Sequence, residues 1–311
     1  MPTLVLVAVA GFVAQLVDGS LGMAFGVTAT TGLLTVGTAP AVASASVHLA
    51  EVGTAVASGA SHWRLGNVDW RIVAWLALPG AVGGFAGATM LASLASEAAR
   101  PWMAVMLVGL GLYVLLRFSL GASPVRTRTL SARGHRWLVP LGLAAGFIDA
   151  TGGGGWGPMS TSTLLSSGRV SPRHAIGSVT TSETVVSLAA SVGFLTTLGG
   201  DMLSVTVIVG LLIGGVLAAP LAAWVVRSLP TRLIGVGAGG LIILTNVRVV
   251  LGAVGVVGTT STVLTVLFGV VWIAVLGRAL RSVFAERAAS ASEPASTESD
   301  VVPLQAHHDR S

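Results

Sequence analysis

Five side chains in this sequence are of types that move protons or hold ions, and they stand where polar groups are rare. Asp18, Glu51, Asp149 and Glu183 lie within or beside long apolar stretches, and His48 stands three residues before Glu51. An ionised carboxylate at membrane depth costs roughly 3 kcal/mol or more unless it is paired, hydrated or protonated, so such a group is functional by default. At helical spacing His48 and Glu51 share a face, where together they could carry a proton. Glu183 follows Thr180, Thr181 and Ser182, which offer hydroxyls. The alternative for the aspartates is capping of a broken helix; for the hydroxyls it is bonding back to their own helix.

These residues recur in register. Asp18–Gly26 reads DGSLGMAFG and Asp149–Gly157 reads DATGGGGWG, each with glycines at the fourth and eighth positions after the aspartate. Pro40 and Glu51 follow the first motif as Pro172 and Glu183 follow the second, and the spacing continues to Gly83 and Gly215. Two half-length repeats in an apolar chain indicate a transporter built by internal duplication.

The elements that must position these residues are membrane helices. Hydrophobic residues make up 53% of the chain and charged ones 9%, far from the soluble average. Apolar segments fall at 3–17, 21–36, 40–60, 70–95, 101–118, 137–149, 155–167, 172–198, 203–227, 232–250 and 256–277. Those at 3–17, 21–36, 137–149 and 155–167 are shorter than the ~20 residues a span needs. They form two pairs, each interrupted by an Asp/Gly motif, which reads as two broken helices lining a cavity. Pro40, Pro101 and Pro172 should start helices, Ser171 capping the last, whereas Pro79 and Pro220 should kink theirs. The Gly80/Gly84 and Gly210/Gly214 pairs read as close helix contacts.

The fold expected is therefore all-α and integral to the membrane: a polytopic helical bundle of about seven to nine spans, with two inverted repeats and broken or re-entrant helix pairs. Arg117, Arg126, Arg128, Arg133 and Arg136 mark a cytoplasmic loop, and alternation from there leaves the C-terminus cytoplasmic and the two broken pairs entering from opposite sides. The expected division is an N-terminal repeat at 3–118, the Arg-rich loop at 119–136, a C-terminal repeat at 137–250, an additional helix at 251–280 and a disordered tail at 285–311. The first apolar run has no basic residue before it and belongs to the repeat, so it reads as mature structure and not as a cleaved signal.

All 17 cationic side chains are arginine, placed as loops require, which argues against a nucleic-acid partner. With no cysteine there are no disulfides or thiolate metal sites. No HExxH, GxSxG or Walker A motif occurs, so no enzyme, cofactor or metal centre is expected.

The segment Gly146–Pro158, GFIDATGGGGWGP, the following AIGSVTTSE at Ala175–Glu183, and their faded copies at Gly11–Gly26 and Ala43–Glu51 resemble the TauE/SafE family of sulfite exporters, over about residues 4–275. The resemblance implies a plasma-membrane permease that exports a small anion, sulfite or an organosulfonate, alone or as an oligomer. The residues themselves admit proton coupling, and leave open a proton-linked carrier of a cation or metal, or an intramembrane enzyme using Asp18 and Asp149 as a pair. For an anion the candidate substrate-binding residues are Gly152, Gly153, Gly154 and Gly155, whose backbone N–H groups could face a ligand at a half-helix N-terminus, with Ser20, Gly22, Thr151 and Thr181. Asp18, Glu51, Asp149, Glu183 and His48 are the candidates for coupling and gating. Substrate, direction and stoichiometry are not written in the sequence.

Overall fold

The computed structural model describes residues 2–21, 23–120, 132–167, 169–200, 203–228 and 231–292. Gly22, most of the Arg-rich loop, Asp201 and the tail from 293 onward lie outside these residues, as do the side chains of Ser20 and Pro220. Every regular element among the described residues is a helix, with no strand.

In the first half, α1 (Pro2–Leu21) and α2 (Phe25–Thr35) form a broken pair, followed by α3 (Pro40–Arg64), α4 (Trp70–Ser93) and α5 (Ser96–Ser119). After the short α6 (Ala132–Arg136), the second half repeats the order. α7 (Leu138–Gly152) and α8 (Trp156–Ser166) are the broken pair, then come α9 (Pro172–Leu198), α10 (Val205–Ser228) and α11 (Thr231–Ala253), and α12 (Gly258–Ser292) is added at the end.

Among the described residues, Trp70–Ser93, Ser96–Ser119, Arg173–Leu198, Arg232–Ala253 and Gly258–Ala285 are long and apolar enough to cross a membrane. The 25-residue α3 is long enough but carries His48, Glu51 and several serines on its buried face. The chain is a polytopic helical membrane protein. On α12, Val263, Val266, Val270 and Ile273 are among the exposed apolar side chains, as lipid contact requires.

Pro40 and Pro172 occupy the first helical turns of α3 and α9, where a missing N–H has no cost. The Ser171 hydroxyl does not cap α9; it pairs with His174 Nδ1 at 2.7 Å. Pro101 does not start a helix. The N–H groups of Ala98 and Ala99 bond the Ala95 carbonyl and open α5 a turn earlier, leaving Pro101 in its second turn. At the other end, α12 runs beyond 277 to Ser292, and its continuation is rich in Ala and Arg, which favour the helix.

The most extensive contacts run between the halves. α1 lies along α10, α4 along α7, α3 along α9 and α5 along α11. Exchanging each helix with its counterpart (α1 with α7, α4 with α10) converts the first contact into the second and maps the other two onto themselves. Small residues permit these contacts. A Cβ on Gly146 would fall on the Gly80 carbonyl, and one on Gly214 on the Ala8 carbonyl. Backbones in direct contact replace the hydrophobic drive that lipid does not supply.

Candidate functional site

The two breaks are built alike. α1 runs on past Asp18, and Asp18 Oδ1 accepts the N–H groups of Ala24 and Phe25, at 2.9 and 3.2 Å, where α2 begins. In the second half Asp149 Oδ1 accepts the N–H groups of Gly155 and Trp156 at 2.7 and 2.9 Å, where α8 begins. Each aspartate thus stands in the last turns of one half-helix and caps the next. A half-helix starting inside a membrane has unpaired N–H groups and no water to satisfy them, so the cap is a structural need.

Glycine is required at the second break. Gly153 and Gly154 have φ of +70° and +143°, a region that side chains with a Cβ avoid. Both direct their N–H groups to the Asp149 carbonyl. Since the N–H groups of Gly155 and Trp156 also go to Asp149, the donors the glycine run was expected to present to an anion are satisfied internally. Gly154 instead meets Gly26 at the crossing of the broken pairs, and Gly157 meets Met23 in the repeat-related position. The Thr30 hydroxyl donates to the Gly153 carbonyl across the same crossing. Trp156 is fully buried over Gly80 and donates its indole N–H to the Val179 carbonyl at 3.1 Å, holding α8 against α4 and α9.

Beside the crossing lies a cavity of about 520 Å³. α1 contributes Gln15 and Asp18; α3 contributes Glu51, Thr54, Ser58 and His62; α9 contributes Ile176, Val179, Thr180 and Glu183. Asp149, Gly154, Gly155, Gly157 and Pro158 close the second side. From Glu51 to His62 at the end of α3 the axial rise is roughly 16 Å, half the thickness of a hydrocarbon core. The cavity therefore reaches from mid-depth to a helix end.

All four acids line this one space, although they come from four helices. Glu51 is buried, with the Ser187 hydroxyl 3.5 Å from Oε2. His48 lies behind the wall, with Nε2 3.1 Å from Asp149 Oδ2 and Nδ1 2.8 Å from the Ser44 carbonyl. The donor atoms of His48, Glu51 and Asp149 fall within 4.8 Å of one another, but His48 and Asp149 already satisfy each other directly. Among the described residues, no arginine lines the cavity.

Other candidates lie elsewhere. Gly152 packs against Met106 and Leu110, and Gly153 against Thr30, neither of them on the cavity. The Thr151 and Thr181 hydroxyls bond back to the Phe147 and Gly177 carbonyls within their own helices, for Thr181 the alternative the sequence had left open. Ser20 and Gly22 fall outside the described side chains. Thr54, Ser58 and His62 were not anticipated. They stand three, seven and eleven residues after Glu51, a helical stripe that would have revealed them had the face been followed from the acid.

A model of the family described as "Sulfite exporter TauE/SafE" matches residues 7–249, from α1 through α11. The chain belongs to the TauE/SafE family. It is 48% identical over 248 residues to "Probable membrane transporter protein YtnM" of Bacillus subtilis (strain 168), a match covering 80% of this chain and 83% of that one. A second relative from the same organism, "Probable membrane transporter protein YdhB", is 28% identical over 169 residues, covering 53% of this chain and 68% of that one. No solved structure matches. This TauE/SafE member is a multi-pass membrane transporter, and its two broken helices and their cavity lie within the matched region.

Proposed function

We propose that the protein is a proton-linked secondary transporter that exports a small oxyanion, such as sulfite or an organosulfonate, through the cavity beside the crossing of α1–α2 and α7–α8. The observation that carries this reading is the pairing of Glu51 and Glu183 with the hydroxyls of Ser58 and Thr180 around one space of solute size. Protonated carboxyls and hydroxyls donate hydrogen bonds to oxyanion oxygens; a deprotonated carboxylate repels the same solute and drives its release. Side chains must do this binding, because the backbone donors of the second break serve Asp149. The repeats would then give two gates of opposite orientation in the plasma membrane, with the Arg-rich loop and C-terminus cytoplasmic.

A second reading, a cation carrier, is favoured by the four acids and the lack of arginine in the lining. An intramembrane enzyme using the aspartates is disfavoured, since Asp18 and Asp149 are both engaged as caps.

Flux measurements in proteoliposomes test these readings, using sulfite, an organosulfonate, monovalent and divalent cations, and an imposed pH gradient. The proposal expects anion flux accelerated by the gradient. Cation flux without anion flux would replace it with the second reading.

A further inference from the structure

The two breaks share a cap but differ in what faces the aspartate's second oxygen. Nδ1 of His48 faces the Ser44 carbonyl at 2.8 Å, and a carbonyl only accepts, so Nδ1 carries a hydrogen. The nearby Ser44 hydroxyl does not compete for that role, because it donates to the Ala150 carbonyl at 2.7 Å. Nε2 of the same ring lies 3.1 Å from Asp149 Oδ2. With Nδ1 protonated, a neutral ring presents a lone pair at Nε2, and an ionised carboxylate presents lone pairs as well. That contact is attractive only if one further proton lies between them, on the ring or on the carboxyl. Both side chains are buried, so no solvent screens the alternative.

The equivalent break lacks this arrangement. Asp18 makes the same two cap bonds, but the position matching His48 is Thr180, which lines the cavity and brings no ring nitrogen. We propose that the His48–Asp149 pair is the proton-binding site of this transporter, and that the Asp18 break binds none. The proposal rests on the proton-linked reading above and locates its proton. Asp149 Oδ1 holds the start of α8 while Oδ2 holds His48 on α3. Loss of the proton turns the second contact repulsive and loosens α3 from the α7–α8 break, on the wall of the solute cavity. The other titratable groups on this space are Glu51 on α3, Glu183 on α9, Asp18 on α1 and, at the far end of α3, His62. The Phe194 ring of α9 packs on the His48 ring at 6.0 Å between centroids and adds no charge.

Asp149→Asn discriminates a proton site from a structural link. The amide oxygen accepts the same two N–H groups, and the amide nitrogen donates to Nε2, so every hydrogen bond survives while the exchangeable proton is lost. Two measurements on the full chain in lipid read this. In protein labelled with [15N]histidine, His48 is assigned as the signal missing from His48→Gln among the six histidines. Around neutral pH its Nδ1 should be protonated and its Nε2 protonated or hydrogen-bonded. A bare, non-bonded Nε2 would overturn the proposal. In proteoliposomes with sulfite as probe, the ratio of flux with to without a pH gradient should fall to about one in Asp149→Asn and remain well above one in Asp18→Asn. A wild-type ratio in Asp149→Asn, or equal loss in both, would also overturn it. If the wild-type protein moves no sulfite, the anion reading fails, and the nitrogen signals still decide the proton site.

Discussion

The break after Asp18 and the break after Asp149 descend from one design and have diverged in what surrounds it. In both, one carboxylate oxygen caps the second half-helix through two backbone N–H groups. Around Asp149 three more ties are added: His48 on its other oxygen, Ser44 on the Ala150 carbonyl and Thr30 on the Gly153 carbonyl. In the reverse direction, Ser162 of α8 reaches only the Met23 sulfur, at 3.4 Å. The difference separates what a broken membrane helix always needs, a cap, from what one half has acquired, a titratable link to its neighbour.

The largest effect should come from the backbone crossing. Gly154→Ala places a Cβ on the backbone of Gly26 and Val27 at a φ that alanine disfavours, and should cost several kcal/mol or prevent folding (about 3 kcal/mol or more). Gly157→Ala, the repeat-related contact, meets Met23 at 3.0 Å without a positive φ and should be clearly milder. Membrane yield and melting in detergent compare the two. Equal losses would show the crossing to be symmetric in energy as well as in outline.

Next come the caps. Asp18→Ala loses a cap, about 1 kcal/mol. Asp149→Ala loses a cap and strands a buried His48 nitrogen, adding roughly 1–3 kcal/mol. Denaturant melts should therefore rank Asp149→Ala below Asp18→Ala in stability; the reverse order would contradict the comparison.

The smallest effect is expected at Thr181, whose hydroxyl bonds only its own helix. Thr181→Val should shift stability by less than about 1 kcal/mol and leave flux at the wild-type level. A flux loss greater than tenfold would return Thr181 to the solute path.

Much of this was legible in the sequence for definite reasons. Apolar run lengths located the helices, and the paired Asp/Gly motifs located the breaks, because a polar, glycine-rich interruption has few tolerable settings in a membrane. The capping alternative for Asp18 and Asp149 was readable from their position just before a new helix. The partnering of α1 with α10 and α4 with α7 was not, since close glycine contacts name no partner. Nor was the meeting of His48 with Asp149, 101 residues apart, which depends on how α3 docks on the second break. The glycine run invited an anion site because its donors look free in the sequence; only the fold shows Asp149 accepting them.

The proposed solute path through the cavity beside the crossing of the broken pairs can be tested directly in this cysteine-free chain. Ser58 lines that cavity on the α3 face shared with Glu51, so Ser58→Cys places a single thiol on the path. A membrane-impermeant cationic thiol reagent should label it in proteoliposomes and block flux, and a transported organosulfonate should slow the labelling. A thiol at 58 that is modified without loss of flux, or labelled at the same rate with and without transported solute, would contradict the account.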